Sequence, residues 1–166
     1  MLPTMTVRVR RLEPDDWQLW RDVRLAALAD APYAFGSTLA REQAFDEASW
    51  RGWLSRENSM AAAAFLDGDP VGVIAGWPPE GAGGLLLVAL WVAPAARGHG
   101  AGDALVTEVA NWAAEHGYPR VDLRVADGNH AARTLFLRNG FTPTGRREPL
   151  ESDPTVGTEF LVRELS

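Results

Sequence analysis

The sequence predicts an α/β (α+β) domain, a mixed β-sheet of about seven strands flanked by helices. Three observations carry this. Residues 85–92, LLLVALWV, form an unbroken apolar run ended by Pro94, the pattern of a strand buried on both faces and central in its sheet. A helical stretch and another strand, 120–127, follow it, and that β–α–β order implies a parallel pair joined by a right-handed crossover. Residues 60–77, MAAAAFLDGDPVGVIAGW, read as strand, Asp-Gly turn and strand, an antiparallel hairpin.

The other elements fall into place around these. TVRVRRL (6–12) alternates apolar and charged residues, the period of a half-exposed strand. Over 13–30, Trp17, Trp20, Val23, Ala27 and Leu28 share one helical face behind an acidic first turn. A shorter helix is expected at 46–56. The helix over 99–116 turns Leu105, Val106, Val109, Trp112 and Ala113 inward and stops at Gly117. Asn129 is a good N-cap for a short helix over 129–139, with Gly140 just past its end. FTPTGRREP and TEFLVREL close the chain as two strands. No repeat, low-complexity tract or linker interrupts it, so residues 1–166 are expected to be a single domain.

Composition excludes several function classes. Cysteine is absent, which removes disulfides, thiolate metal sites and a cysteine nucleophile, and no metal is expected. All 16 basic residues are arginine, so lysine Schiff-base chemistry and a P-loop lysine are also absent. A net charge of −6 argues against nucleic acid. The start of the sequence has no apolar signal region, and no apolar run approaches the roughly 18 residues of a membrane span. A cytoplasmic location and no membrane partner are expected. There are seven tryptophans, more than a core of this size needs, which makes some of them candidates to line a pocket.

APAARGHGAGDAL (93–105) places Gly98, Gly100 and Gly102 at the entry to a long helix. A Walker loop needs a lysine, and a dinucleotide fingerprint needs a glycine where Asp103 or Leu105 stands. What fits is R-x-x-G-x-G at Arg97, Gly100 and Gly102. A helix start offers unpaired N–H groups and partial positive charge, and glycines clear the side chains that would keep a pyrophosphate away. Arg97 adds charge or holds the loop. A tight turn without a ligand is the alternative.

With these residues in view, the chain resembles the GCN5-related N-acetyltransferase (GNAT) superfamily. LWVAPAARGHGAG is similar to its pyrophosphate-loop motif, L-x-V-x-P-x-x-[QR]-x-x-G-x-[GA]. NHAARTLFLRNGF is similar to its N-x-x-A-x-x-L-[YF]-x-x-x-G-F helix, through Asn129, Ala132, Leu135, Phe136, Gly140 and Phe141. The resemblance implies a centrally splayed sheet and acetyl-CoA as donor. It implies that the loop amides of Arg97, Gly98, His99, Gly100 and Ala101, with Gly102, hold the pyrophosphate. Trp91 and Val92 would pair with pantetheine, and the Leu90 N–H would face the thioester carbonyl, a contact worth roughly 3–4 kcal/mol in other enzymes. Asn129 would bond pantetheine or a phosphate, or serve only as a cap. Arg138 would reach a phosphate or line a solvated face.

One position departs from the commoner pattern. Many members carry tyrosine where this chain has Phe136, which packs but donates no proton. Water, Tyr33 or His130 must then supply it. The strand 85–92 has no ionisable side chain to act as base. Glu80 is too distant in sequence, leaving Glu42 first and Asp46 second, each also readable as a surface charge. Segments 30–46 and the late loop 148–159 are expected to flank the acceptor cleft. Tyr33 and Phe35 beside Glu148, Glu151 and Asp153 suit a cationic amine of small-molecule or peptide origin. The expected function is acetyl-CoA-dependent N-acetyl transfer to a primary amine by direct attack, in a monomer or homodimer. A catalytically weak CoA-binding sensor is the alternative, and a Rossmann nucleotide domain a distant third.

Overall fold

The computed structural model describes residues 6–32, 35, 37–79, 81 and 83–165. Tyr33 and Glu80 lie outside them. Seven strands form one sheet: β1 (Val7–Arg11), β2 (Met60–Leu66), β3 (Asp69–Trp77), β4 (Leu85–Val92), β5 (Arg120–Ala126), β6 (Thr142–Leu150) and β7 (Asp153–Glu164). Their spatial order is β1-β2-β3-β4-β5-β7-β6. Every pair is antiparallel except β4 with β5. The mixed sheet flanked by helices is the fold that the sequence predicts.

The helices α1 (Trp17–Asp30), α2 (Leu39–Gln43) and α3 (Glu47–Ser55) lie on one face, α4 (Ala101–Glu115) and α5 (His130–Arg138) on the other. The inward stripe of α4 is buried throughout, from Leu105 to Ala113. It packs across β1 to β5 with Ile74, Leu123 and Leu161 beneath. On α1, Trp20, Val23, Ala27 and Leu28 bury against Ala63, Val73 and Trp50. The Asp67-Gly68 turn takes left-handed backbone at both residues (φ 51° and 91°), as a tight hairpin needs.

Four expectations change. The five-residue α2 was not foreseen; Thr38 caps it by accepting from the Arg41 N–H at 3.2 Å. The fourth helix starts at Ala101, not 99. The segment 148–159 is no loop: β6 and β7 run through it, with Glu151 and Ser152 alone at the turn. And β4 is not buried on both faces. Leu85, Leu87 and Trp91 are buried, while Leu86 and Val88 to Leu90 are only half-covered, because the sheet opens beside them.

Candidate functional site

The opening in the sheet follows from pairing. β4 meets β5 only at Leu85↔Val121 and Leu86↔Asp122, after which the two strands diverge. On its other side β4 pairs with β3 at Val73↔Trp91 and again at Ala75↔Val88, so Ala89 and Leu90 together oppose Ile74. Ala89 takes φ 63°, a left-handed value rare for any residue but glycine. This bulge inserts one residue and inverts the strand's side-chain parity. Leu85 and Leu87 face α4 before it; Leu90 and Val92 face α4 after it, and Trp91 turns to the α1 face.

At the end of β4 a short 3-10 turn, Pro94–Ala96, leads into the glycine loop. Gly98 (φ 87°) and Gly100 (φ 84°) are both left-handed, and a Cβ built on either meets no atom within 4 Å. Gly100 is the N-cap of α4 and offers no side chain to the first amides of the helix. No side chain caps the helix start, and a helix start without a cap suits an anion. Asp103, in the first turn, is neutralised: Arg138 grips it with two 2.8 Å bonds and Asn139 adds a third at 2.8 Å. These bonds hold its carboxyl below the usual aspartate range, the Arg138 bond most strongly. Arg138 is therefore committed to Asp103.

Gly102 has a different reason to lack a side chain. A Cβ there would lie 2.9 Å from Leu135 Cδ2, so this glycine lets α5 approach α4. Arg97 holds the loop: Nε donates to the Val92 carbonyl at 3.0 Å and Nη2 to Asp30 at 3.3 Å. His99 is exposed. At α5, Asn129 accepts from the Ala132 N–H at 3.4 Å, a weak cap. With exposed His130 it lines a cavity of about 400 Å3 at the end of β5. Phe136 is 4% exposed, edge-on to Phe141 with ring centroids 5.6 Å apart.

A second cleft, of about 570 Å3, opens on the α1 face beside β4. Leu86 to Ala89 form its floor, and Phe35, Trp53 and Trp77 its apolar walls. Glu42 lines it but is no surface charge: it is 1% exposed, and Arg24 (5% exposed) donates to both its oxygens at 2.8 and 2.9 Å. The same guanidinium sits 4.8 Å over Phe35 and 5.2 Å over Trp53. Asp46 is instead the N-cap of α3. It accepts from the Ser49 N–H and hydroxyl at 2.8 Å each, and those bonds hold its carboxyl below the usual range.

Of Glu148, Glu151 and Asp153, only Glu151 lines this cleft. Glu148 pairs with Arg146 at 2.5 Å, and Asp153 accepts from Thr155. Sequence reasoning missed Arg24, Arg41, Arg124, Trp53 and Trp77 as cleft residues. For Arg24 a signal existed: an arginine one turn after Trp20, on the otherwise apolar stripe of α1.

The splayed sheet and the glycine-led helix after its central strand are the marks of an acyl-CoA acyltransferase fold. Residues 20–141 match the acetyltransferase (GNAT) family, and the chain belongs to it. N-acetyltransferase 8F1 of Rattus norvegicus is 38% identical over 81 residues, covering 46% of this chain and 37% of that protein. N-acetyltransferase 8B of the same organism is 37% identical over 84 residues, covering 51% and 38%. The chain thus spans well under half the length of these relatives. Among solved structures, yncA of Salmonella typhimurium, determined with its cofactor acetyl-CoA, superposes with a TM-score of 0.81 at 16% identity. That match covers 97% of this chain and 95% of that one. Ribosomal-protein-alanine N-acetyltransferase of Brucella melitensis gives 0.79 at 21%, covering 95% and 99%.

Proposed function

We propose that this chain is an acetyl-CoA-dependent N-acetyltransferase that brings donor and primary amine together in one ternary complex, with direct attack by the amine. The observation that carries the reading is the junction of β4 with α4: a bulged strand with one edge open runs into a helix start whose amides are bare at Gly98 and Gly100. These residues fit the donor. Left-handed glycines with empty space above them suit a pyrophosphate, and a strand edge free beyond Leu86 suits an amide-bearing arm. The family, and the N-acetyltransferase relatives over the half of the chain they match, support the same donor.

When bound, acetyl-CoA supplies an acetyl thioester that an amine can attack directly. The amides from Arg97 to Ala101, with Gly102, hold the pyrophosphate, and Arg97 braces the loop through Val92 and Asp30. The backbone of Trp91 and Val92, on the strand's open side, would hold the pantetheine arm. The Leu90 N–H, at the bulge, would donate to the thioester carbonyl oxygen, on which charge grows during attack. Asn129 bonds the arm from the other strand's end. The acceptor enters over Leu86 to Ala89 from the α1 face. It must arrive neutral, and a water chain to Glu151, a cleft carboxylate without a partner among the described residues, can take its proton. Glu42, with both oxygens on Arg24, holds α2 to α1 and shapes the wall. Phe136 has no proton to give, so water, His130 or Tyr33 serves at the donor side.

Incubation with acetyl-CoA and a panel of amines, following free thiol, tests this. Amine-dependent thiol release supports it. Acetyl-CoA binding without turnover on any amine would overturn it in favour of a CoA-binding sensor.

A further inference from the structure

We propose that the acceptor is an amine that also carries a carboxylate beside a bulky apolar group, of the α-amino-acid type, and that Arg41 and Arg24 receive the carboxylate. This rests on the acetyltransferase reading and deepens it. It reverses the cationic acceptor expected from sequence.

The cleft is lined by three guanidinium groups, Arg24, Arg41 and Arg124, against two carboxylates, Glu42 and Glu151. Glu42 is spent on Arg24. Arg124 is largely spent on the Thr158 hydroxyl and the Pro149 carbonyl, with Glu148 at 3.7 Å. Arg41 is different: its side chain is exposed and makes no hydrogen bond or ion pair among the described residues. Most arginines of this chain are held by carboxylates, so a free fork at the mouth of an apolar cleft stands out. Its planar donors match a carboxylate in two parallel bonds.

Arg24 adds a fixed donor. Nε and Nη2 point at Glu42, and Nη1 makes no hydrogen bond among the described residues. The Arg24 side chain is among those lining the cleft. Phe35 and Trp53 clamp that guanidinium in place, so its direction is set before anything binds.

The rest of the lining selects the body of the acceptor. Phe35, Phe45, Trp53, Trp77 and Leu150 present apolar surface, and about 570 Å3 holds a large side chain. Glu151, at the β6–β7 turn, suits the ammonium end before it loses its proton. A polycation would place further charge against Arg24 and Arg41 and gain only Glu151.

The test compares L-phenylalanine, L-phenylalaninamide and 2-phenylethylamine as acceptors, with spermidine as the polycation. The first three share an amine and an aromatic body; only the first has the carboxylate. L-phenylalanine is expected to exceed the other two by about tenfold or more in kcat/KM, although the amide's amine is the more easily neutralised. Arg41→Gln should cut that ratio about tenfold, mainly through KM for L-phenylalanine. Preference for spermidine or 2-phenylethylamine, or a ratio indifferent to Arg41→Gln, overturns the proposal. If no amine is acetylated, the acetyltransferase reading fails by itself. Calorimetry on the CoA-loaded protein then decides: N-acetyl-L-phenylalanine should bind more tightly than N-acetyl-2-phenylethylamine, and equal binding overturns the carboxylate site.

Discussion

The indole Nε1 of Trp91 donates to the Asp30 carboxylate at 3.0 Å, tying the central strand to the last residue of α1. The same oxygen accepts from Arg97 at 3.3 Å, so one carboxylate anchors both the strand and the glycine loop that follows it. Asp30→Ala should therefore weaken acetyl-CoA binding by about 3–10-fold. Hydrogen bonds to charged groups are worth roughly 1.5–3 kcal/mol, reduced here because Arg97 is half-exposed. Calorimetry reads the affinity. Unchanged affinity in a folded variant would separate Asp30 from the loop.

Gly100 and Gly102 should fail in different ways. Gly100→Val forces a β-branched residue into left-handed backbone, a strain of roughly 1–3 kcal/mol, and fills the volume above the helix start. Acetyl-CoA binding should be lost while a folded protein remains. Gly102→Val presses on Leu135 and should cost roughly 1–3 kcal/mol of stability. Leu135→Ala in the same chain should recover part of that cost. Thermal melts with and without acetyl-CoA distinguish the two, and identical behaviour would remove the assignment.

The Arg24–Glu42 pair is buried and doubly hydrogen-bonded, so its members should behave as a unit. Arg24→Met alone leaves a buried carboxylate uncompensated and should cost about 3–5 kcal/mol. Arg24→Met with Glu42→Leu should cost much less. Urea unfolding of the four forms gives the coupling, and additive losses would mean that the two charges do not depend on each other.

Acid should loosen the join between α4 and α5. Asp103 is held below the ordinary aspartate value of about 3.9, chiefly by Arg138. A lowered folded value stabilises the protein above the ordinary value, and that contribution is lost as pH falls through the folded one. Stability should therefore decline below about pH 4. Asp103→Asn should flatten part of that decline and cost at most about 1 kcal/mol at neutral pH, since the pair is solvent-exposed. Unfolding free energies between pH 2 and 7 check this.

Patterns of period two and 3.6 made the strands, α1, α4 and the glycine loop legible, because each is set by neighbours in the chain. The side-chain direction of Trp91 was not legible, since it depends on a bulge at Ala89, an alanine in backbone that no local rule assigns to it. Glu42 was misread for a related reason. Its partner lies 18 residues away on another helix, and α2, which presents it, is too short to show a period. The role of Gly102 was equally hidden, because the residue that excludes a side chain there is Leu135 on α5.

The brief contact between β4 and β5 also has a mechanical side. With register partners only at Leu85 and Leu86, the strands β1 to β4 and β5 to β7 form two leaves joined along a short seam. Gly102 against Leu135 and Asp103 against Arg138 add to the seam from the helix layer. A ligand lying in the gap would bridge both leaves at once. It should slow amide hydrogen exchange on β4 and β5 together, by up to the few kilocalories per mole that mass action gives a saturating ligand.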